Sequence, residues 1–367
     1  MWITSSLEAA KAPTHIALGN FDGVHLGHQQ VMAQILCTAA EQVPTQPTSM
    51  HSIRTLHTGD FTAGYSLLPE DEGLAIQSQK TARSLGETAV LSEAAFPTVV
   101  TFSPHPHEYF SGTARPLLTP VAEKAWQLAQ LGVQQLVMLP FNQALAELSP
   151  QDFVEKILIQ GLKAQRISVG GDFHFGKGRS GNSQNLADIA GAYGVPVIQV
   201  PLKHAQGDRI SSSRIRTALQ SGEPEIATRL LGRPYTLTGR VVKGQQLGRT
   251  IGFPTANLQV PQKKYLPRTG VYSVRVYGAK STATASRGAD EEALQGVMNI
   301  GNRPTVDGQS LSIEVHILGW DGDLYDKTLT VSVESFVRAE QKFESLDQLK
   351  AQIEKDCEQA IATLTKS

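Results

Sequence analysis

His25 and His28 lie three residues apart in the string Gly19-Asn-Phe-Asp-Gly-Val-His-Leu-Gly-His28. The string sits between the short apolar run His15 to Leu18 and a helical pattern carrying Val31, Met32, Ile35 and Leu36. The opening of a helix presents free backbone N–H groups and partial positive charge, and so draws phosphate. Gly23 and Gly27 permit tight turns and close approach of a ligand to the backbone. Two imidazoles placed there can donate hydrogen bonds to nucleotide phosphates and stabilise the charge that grows when an α-phosphorus is attacked. Gly19, Asn20, Phe21 and Gly27 are the accompanying candidates for nucleotide contact. A histidine pair alone at this spacing is more often structural; the full string at a strand–helix junction is far more specific.

Three later segments have chemistry of their own. In Thr101-Phe-Ser-Pro-His-Pro-His107, Pro104 and Pro106 stiffen a loop after a strand, where α/β proteins place ligand residues, although a plain proline turn reads the same way. Gly171-Asp-Phe-His-Phe-Gly176 offers Asp172 and Phe173 beside flexible backbone, suited to a flat ring; Phe173 and Phe175 could equally be core residues. Ser211, Ser212 and Ser213 can cap the helix that follows and leave N–H groups for phosphate, with Arg214 and Arg216 adding cations that can grip two phosphate oxygens. Capping alone would also explain those serines.

A second constellation begins at Gly244. Gly244, Gly248 and Gly252 let a loop wrap around phosphates, and Thr255 and Asn257 offer hard oxygen ligands for Mg²⁺. Glu314 stands on the polar face of its strand beside Ser312 and His316. An outward strand glutamate is by itself usually just solvated.

Two kinds of element must position these residues. The first half alternates apolar runs (Thr98 to Phe102, Leu136 to Leu139, Ile167 to Val169, Val195 to Val200) with helices. One helix is expected to open at Thr119-Pro120 and stop at Gly132, one to follow the capping box Ser149 to Asp152, and one to lie near Asn185 to Tyr193. That rhythm predicts a Rossmann-like parallel sheet with helices on both faces. From about residue 232 the period becomes two: Tyr272, Val274 and Val276 oppose Ser273 and Arg275, and Leu311, Ile313, Val315 and Ile317 oppose Ser312, Glu314 and His316. Half-buried antiparallel strands in succession predict a small β-barrel. A terminal helix follows the capping box Ser345 to Gln348, with Leu346, Leu349, Ile353, Cys357, Ile361 and Leu364 as the stripe that packs on the barrel. The expected division is residues 1–222 and 223–367, with a surface insertion near 43–95 and a second near Ser281 to Glu292.

The 367 residues suit two domains. Thirty-three basic and 34 acidic side chains give a formal charge of −1, which argues against nucleic acid as the main partner. Cys37 and Cys357 are too far apart in sequence for a metal pattern, and without a disulfide framework a reducing compartment, the cytoplasm, is expected. No secretory signal and no run of about 18 apolar residues is found, so no membrane partner is expected.

GNFDGVHLGH resembles the HxGH motif of nucleotidylyltransferases, in the form found in the adenylyltransferase domain of bacterial bifunctional riboflavin kinase/FAD synthetases. The segments about His105, Asp172 and Ser211 resemble that family's FxPHP, DFxFG and ISSTxxR motifs, and Gly248 to Asn257 resembles the GRxxGFPTAN motif of riboflavin kinases. The resemblance implies phosphorylation of riboflavin to FMN and adenylylation of FMN to FAD, with ATP as co-substrate and Mg²⁺ as cofactor. It implies Glu314 as base, His25, His28 and Arg216 at the adenylylation transition state, and Phe102, Pro104, His105, Pro106, Asp172 and Phe173 around the flavin. Asn142 stands where the family often has aspartate. Two rival readings are an enzyme with one working half and a flavin carrier without turnover. Oligomeric state stays open.

Overall fold

A computed structural model describes residues 1–40, 94–205, 207–244, 247–280, 293–305 and 308–365. The second expected insertion and all but the end of the first lie outside these residues.

The apolar runs of the first half form a six-stranded parallel sheet. Its strands are β1 (Trp2–Thr4), β2 (Thr14–Leu18), β3 (Phe96–Ser103), β4 (Gln135–Pro140), β5 (Ala164–Gly170) and β6 (Val197–Val200). They lie in the order β1-β4-β3-β2-β5-β6. Alternate residues serve opposite faces: Ile16, Leu18, Val100 and Val137 join one core, and Ala17, Val99 and Leu136 the other. Burial on both faces is why these strands read as continuous apolar runs. Helices α1 (Leu26–Ala40), α2 (Pro106–Ser111), α3 (Val121–Gln130) and α4 (Ser183–Ala192) are among the helices of this half. Met32 and Ile35 of α1 and Leu128 of α3 cover one face, and Leu186 and Ala190 of α4 the other.

The chain runs from β2 outward to β3 and β4, then crosses back to β5 on the far side of β2. Strand order therefore reverses between β2 and β5, and a crevice opens there beyond the carboxyl ends of the strands. The His25/His28 string follows β2 and the Asp172 segment follows β5, so the topology brings both to that crevice.

The second half is a closed barrel of β7 (Tyr235–Val242), β8 (Ala256–Gln259), β9 (Gly270–Tyr277), β10 (Leu294–Thr305), β11 (Gly308–Ile317) and β12 (Thr328–Arg338), in the order β7-β8-β11-β10-β9-β12. All its pairings are antiparallel. Inward positions such as Tyr235, Leu237, Tyr272, Val274, Ile313, Val315, Val331 and Val333 fill the interior. Two helices join the halves, α5 (Ser212–Ser221) and α6 (Pro224–Leu231), and their Ile215, Leu219, Leu230 and Leu231 belong to the same core as the barrel.

The terminal helix, α7 (Leu346–Thr365), packs on the outside of the barrel as expected. Its seam differs from the expected stripe. Ile353, Cys357, Ala360 and Leu364 face the barrel, whereas Leu346 and Ile361 are exposed. This cover also explains why β9 is buried on both faces: Val271 packs with Val297 beneath Cys357 and Ala360. Leu311, expected on the inner face of β11, is exposed near the strand's start.

Two helix starts also differ. Thr119 does not cap α3; Pro120 occupies that position without a side-chain bond, and the Thr119 hydroxyl accepts from the Gly23 N–H at 2.9 Å instead. Ser149 does cap its turn, accepting from the Asp152 N–H at 3.0 Å, but the chain then widens into a π-helical segment, Phe153–Gly161. Phe153, Val154 and Leu158 are buried there, a spacing that fits i→i+5 bonding.

Candidate active sites

The loop between β2 and α1 is tightly constrained. Phe21 and Val24 take left-handed backbone angles (φ 49° and 47°), rare for such residues. Phe21 is buried and lies against His28, with ring centroids 5.1 Å apart. The Asp22 carboxylate accepts from the Thr119 N–H at 3.1 Å and pairs with Arg216. Its carbonyl accepts from the Ser212 hydroxyl at 2.7 Å. The Asn20 carbonyl accepts from the buried Lys124 ammonium at 2.9 Å and from the Thr101 hydroxyl at 3.2 Å.

This scaffold stacks the two imidazoles, with centroids 3.6 Å apart and planes 12° from parallel. His28 donates its backbone N–H to Nδ1 of His25 at 3.2 Å. Nδ1 of neutral His25 is thereby the acceptor, which places its proton on Nε2. Burial, with a nearby Arg209 adding to it, pulls His25 down to about 4. Burial and the neighbouring His25 hold His28 well below the ordinary histidine range. Both are neutral at pH 7, each with one N–H to give.

The crevice is a cavity of about 930 Å³. Gly19, Asn20, Phe21, His25, Gly27 and His28 line it from the β2 side. Asp172 and Phe173 line it after β5, Phe102 at the end of β3 with His105 and Pro106 just beyond it, and Ser211, Ser212 and Ser213 at the opening of α5. Ser211 also caps α5, accepting from the Arg214 N–H at 3.3 Å, so the capping and ligand readings hold together. Phe173 stacks on Phe175 at 5.7 Å, and of the two Phe175 is the core residue. Burial and the nearby Arg115 bring His105 down to about 4.

Two candidates fall outside the lining. Pro104 is exposed directly after β3. Arg216 is held by Asp22 and donates to the Pro116 carbonyl at 3.0 Å, while its second terminal nitrogen is buried with no hydrogen-bond partner among the described residues. Conversely, Arg115, Phe141, Lys203 and Arg209 line the cavity and were not singled out from sequence. Arg209 pairs with Asp172, and its place directly before Ile210-Ser-Ser-Ser was the only sequence signal. Asn142 caps a short helix by accepting from the Leu145 N–H at 3.0 Å, a role asparagine and aspartate share.

On the barrel, Thr255 leads into β8, and Asn257 within β8 faces Glu314 of β11 across the ladder. The Thr255 hydroxyl donates to the Glu314 carboxylate at 3.3 Å. Asn299 of β10 flanks Glu314 on its other side, a neighbour visible only once strands are paired. Gly244 lies against Asn257, where a Cβ would fall 2.2 Å from the amide nitrogen. Gly248 closes on the Phe253 carbonyl in the same way, and Gly252 has a φ of 90°. His316, two residues beyond Glu314 on β11, donates from Nδ1 to the Pro254 carbonyl at 2.9 Å.

A riboflavin kinase family model matches residues 231–364, and an FAD synthetase model matches residues 7–49 and 84–214. The chain belongs to the bifunctional riboflavin kinase/FMN adenylyltransferases. Proteins of that name are 40% identical over 342 residues in Escherichia coli K12 (93% of this chain, 90% of theirs) and 35% identical over 351 residues in Pseudomonas fluorescens (95% and 93%). One from Bacillus subtilis is 33% identical over 361 residues (97% and 94%). A crystal structure described as a macrolide-efflux protein from Streptococcus pneumoniae covers 97% of both chains with a TM-score of 0.72 at 26% identity, a likeness of fold. Among the described residues no helix is long and apolar enough to cross a membrane. The riboflavin kinase/FMN adenylyltransferase phosphorylates riboflavin to FMN and converts FMN to FAD, with ATP as co-substrate. The segment 50–83, inside the expected first insertion, is skipped by the FAD synthetase match.

Proposed function

We propose that FMN is adenylylated in the crevice between β2 and β5, and that riboflavin is phosphorylated beside Glu314. The stacked, neutral His25 and His28 at the opening of α1 carry the first assignment. There the FMN phosphate attacks the α-phosphorus of ATP and pyrophosphate departs. No protein nucleophile is needed, because the attacking phosphate is already ionised. The N–H of each imidazole, the free N–H groups of α1 and the Ser211–Ser213 turn meet the charge that develops. Arg216 supports this from one step behind, since reaching a phosphate would require it to leave Asp22. Phe102, His105, Pro106, Asp172 and Phe173 are the surfaces for flavin. Lying beyond the cavity lining, Pro104 would act only by shaping their loop.

In the barrel, Glu314 accepts the proton of the ribityl hydroxyl as that oxygen attacks the γ-phosphorus of ATP and ADP leaves. Gly244, Gly248 and Gly252 bring the loop's backbone against the phosphates. The hydroxyl of Thr255 and the amide oxygen of Asn257 are hard donors and fit Mg²⁺ carried with ATP, which would neutralise phosphate charge when bound. Residues 1–222 and 223–367 are the two working halves, and Gly222, between α5 and α6, fits that division. Both reactions suit the cytoplasm, as does a chain with two widely separated cysteines.

Flavin chromatography after incubation with ATP and Mg²⁺ tests the assignment. His28→Ala is expected to stop FAD formation while FMN still accumulates from riboflavin. Glu314→Ala is expected to do the reverse when FMN is supplied. A folded variant that loses both activities, or neither, would overturn the assignment of its residue.

A further inference from the structure

The loop that carries His25 and His28 does not rest on its own half alone. Its seat is the segment Leu231–Arg233, where the riboflavin kinase match begins. Gln29 donates from Nε2 to the Leu231 carbonyl at 3.0 Å and to the Val24 carbonyl at 3.1 Å. Gly232 (φ 74°) runs so close to Leu26 that a Cβ there would lie 2.6 Å from the leucine Cδ2. Arg233 then reaches into the turn and donates to the Gly23 carbonyl at 3.0 Å. The Gly23 N–H is held by Thr119, so both peptide groups of this residue are fixed, one of them by the barrel half. Gly23 lies between Phe21 and Val24, whose left-handed angles persist only where surrounding structure enforces them.

Arg233 is in turn held in place. It donates to the Pro234 carbonyl at 3.2 Å and shares the field of the buried Glu123 carboxylate with Lys264. Lys264 pairs with Glu123 and donates to the Leu118 carbonyl at 2.8 Å, one residue before Thr119. Burial lowers Arg233 to about 10 and Lys264 to about 8, which leaves both cationic at neutral pH.

We infer that Arg233 is a positioning residue for FAD formation: a guanidinium at the start of the kinase half fixes the turn that aligns His25 and His28. Arg233 touches no part of the cavity and acts only through Gly23. The inference rests on the assignment of FAD formation to this crevice.

The test compares Arg233→Gln, Arg233→Lys, Gln29→Ala and His28→Ala in the full chain, measuring FMN to FAD and riboflavin to FMN separately. Arg233→Gln is expected to lower kcat for FAD formation about tenfold or more, because misplaced groups lose rate steeply. The KM for FMN and the kinase kcat should stay within about twofold, as a defect in alignment rather than in binding requires. Arg233→Lys, which keeps the charge and one donor, should recover most of the loss. Should Arg233→Gln fail to fold, Arg233→Lys and Gln29→Ala decide, each with a smaller fall confined to FAD formation. FAD formation unchanged in the folded variants, or falling in step with the kinase, overturns the inference. FAD formation that survives in His28→Ala overturns instead the placing of the reaction in this crevice.

Discussion

The neutrality of His25 has a consequence for pH that differs from that of a salt-bridged histidine. Its folded pKa of about 4 lies below the ordinary value of about 6.5, so as pH falls the unfolded chain takes up the proton first. Stability is therefore unaffected by this group above about 6.5 and declines as pH falls from there toward 4. His105, also brought to about 4, adds to the decline over the same window. Melting curves between pH 7.5 and 5 should show Tm falling, and His25→Asn, which removes one of these titrations, should shallow the slope; an unchanged slope would mean that His25 is not held neutral. At the proposed kinase site, Gly244 gives a test of its own. A methyl group there would press on the Asn257 amide. Gly244→Ala should cut FMN formation about tenfold or more, since displaced groups lose rate steeply, while FAD formation from supplied FMN continues. Equal loss of both activities would show that the loop supports the whole fold rather than the kinase site.

Among the elements, α7 shows how far a sequence pattern reaches. Its stripe was legible because Leu349, Ile353, Cys357 and Leu364 recur at helical spacing. The real seam turns through Ala360, too weakly apolar to stand out, and leaves Ile361 in solvent. What fastens the helix was not legible at all: Asp356, 3% exposed, accepts a forked bond from Arg338 of β12 at 2.7–3.0 Å. In sequence Asp356 is one acidic residue among several on a charged helix. Asp356→Asn leaves the guanidinium without its counter-charge and should cost about 3 kcal/mol. In urea this would appear as a lower midpoint with the same m-value. A midpoint within error of the parent would mean that apolar packing alone holds α7. The candidate sites were legible for a related reason. His25 with His28, Ser211 with Ser213 and Thr255 with Asn257 lie within a few residues of each other, whereas Asp22 with Arg216 or Glu123 with Lys264 meet only through the fold.

For the molecule as a whole, alternation of period fixed the two architectures, but how they join was hidden, because the joining residues carry no period. Leu118 comes from the parallel-sheet half, yet it shares a core with α5, α6 and the barrel interior. The backbone crosses the junction too: the Leu117 N–H donates to the Lys263 carbonyl at 2.6 Å, and the Tyr265 N–H to the Leu117 carbonyl at 2.8 Å. Arg216 lies over the ring of Tyr265, whose hydroxyl donates to the Arg216 carbonyl at 3.2 Å. Separating the halves would expose Leu118, Leu230 and Leu231 and strand Lys264 and Glu123, all buried or nearly so. Uncovering each large apolar side chain costs about 1.5–3 kcal/mol, and leaving one member of a buried ion pair alone costs about 3–5 kcal/mol. These costs couple the halves, so the two should unfold as one unit. Tryptophans report on each half: Trp2 and Trp126 lie in the first and Trp320 in the second. A Trp320→Phe variant and a Trp2→Phe/Trp126→Phe variant should melt at the same midpoint by fluorescence, coincident with circular dichroism. Two separated midpoints would show that the junction is looser than its buried contacts require, and that the seat of the His25 loop can be lost or kept independently of the parallel-sheet half.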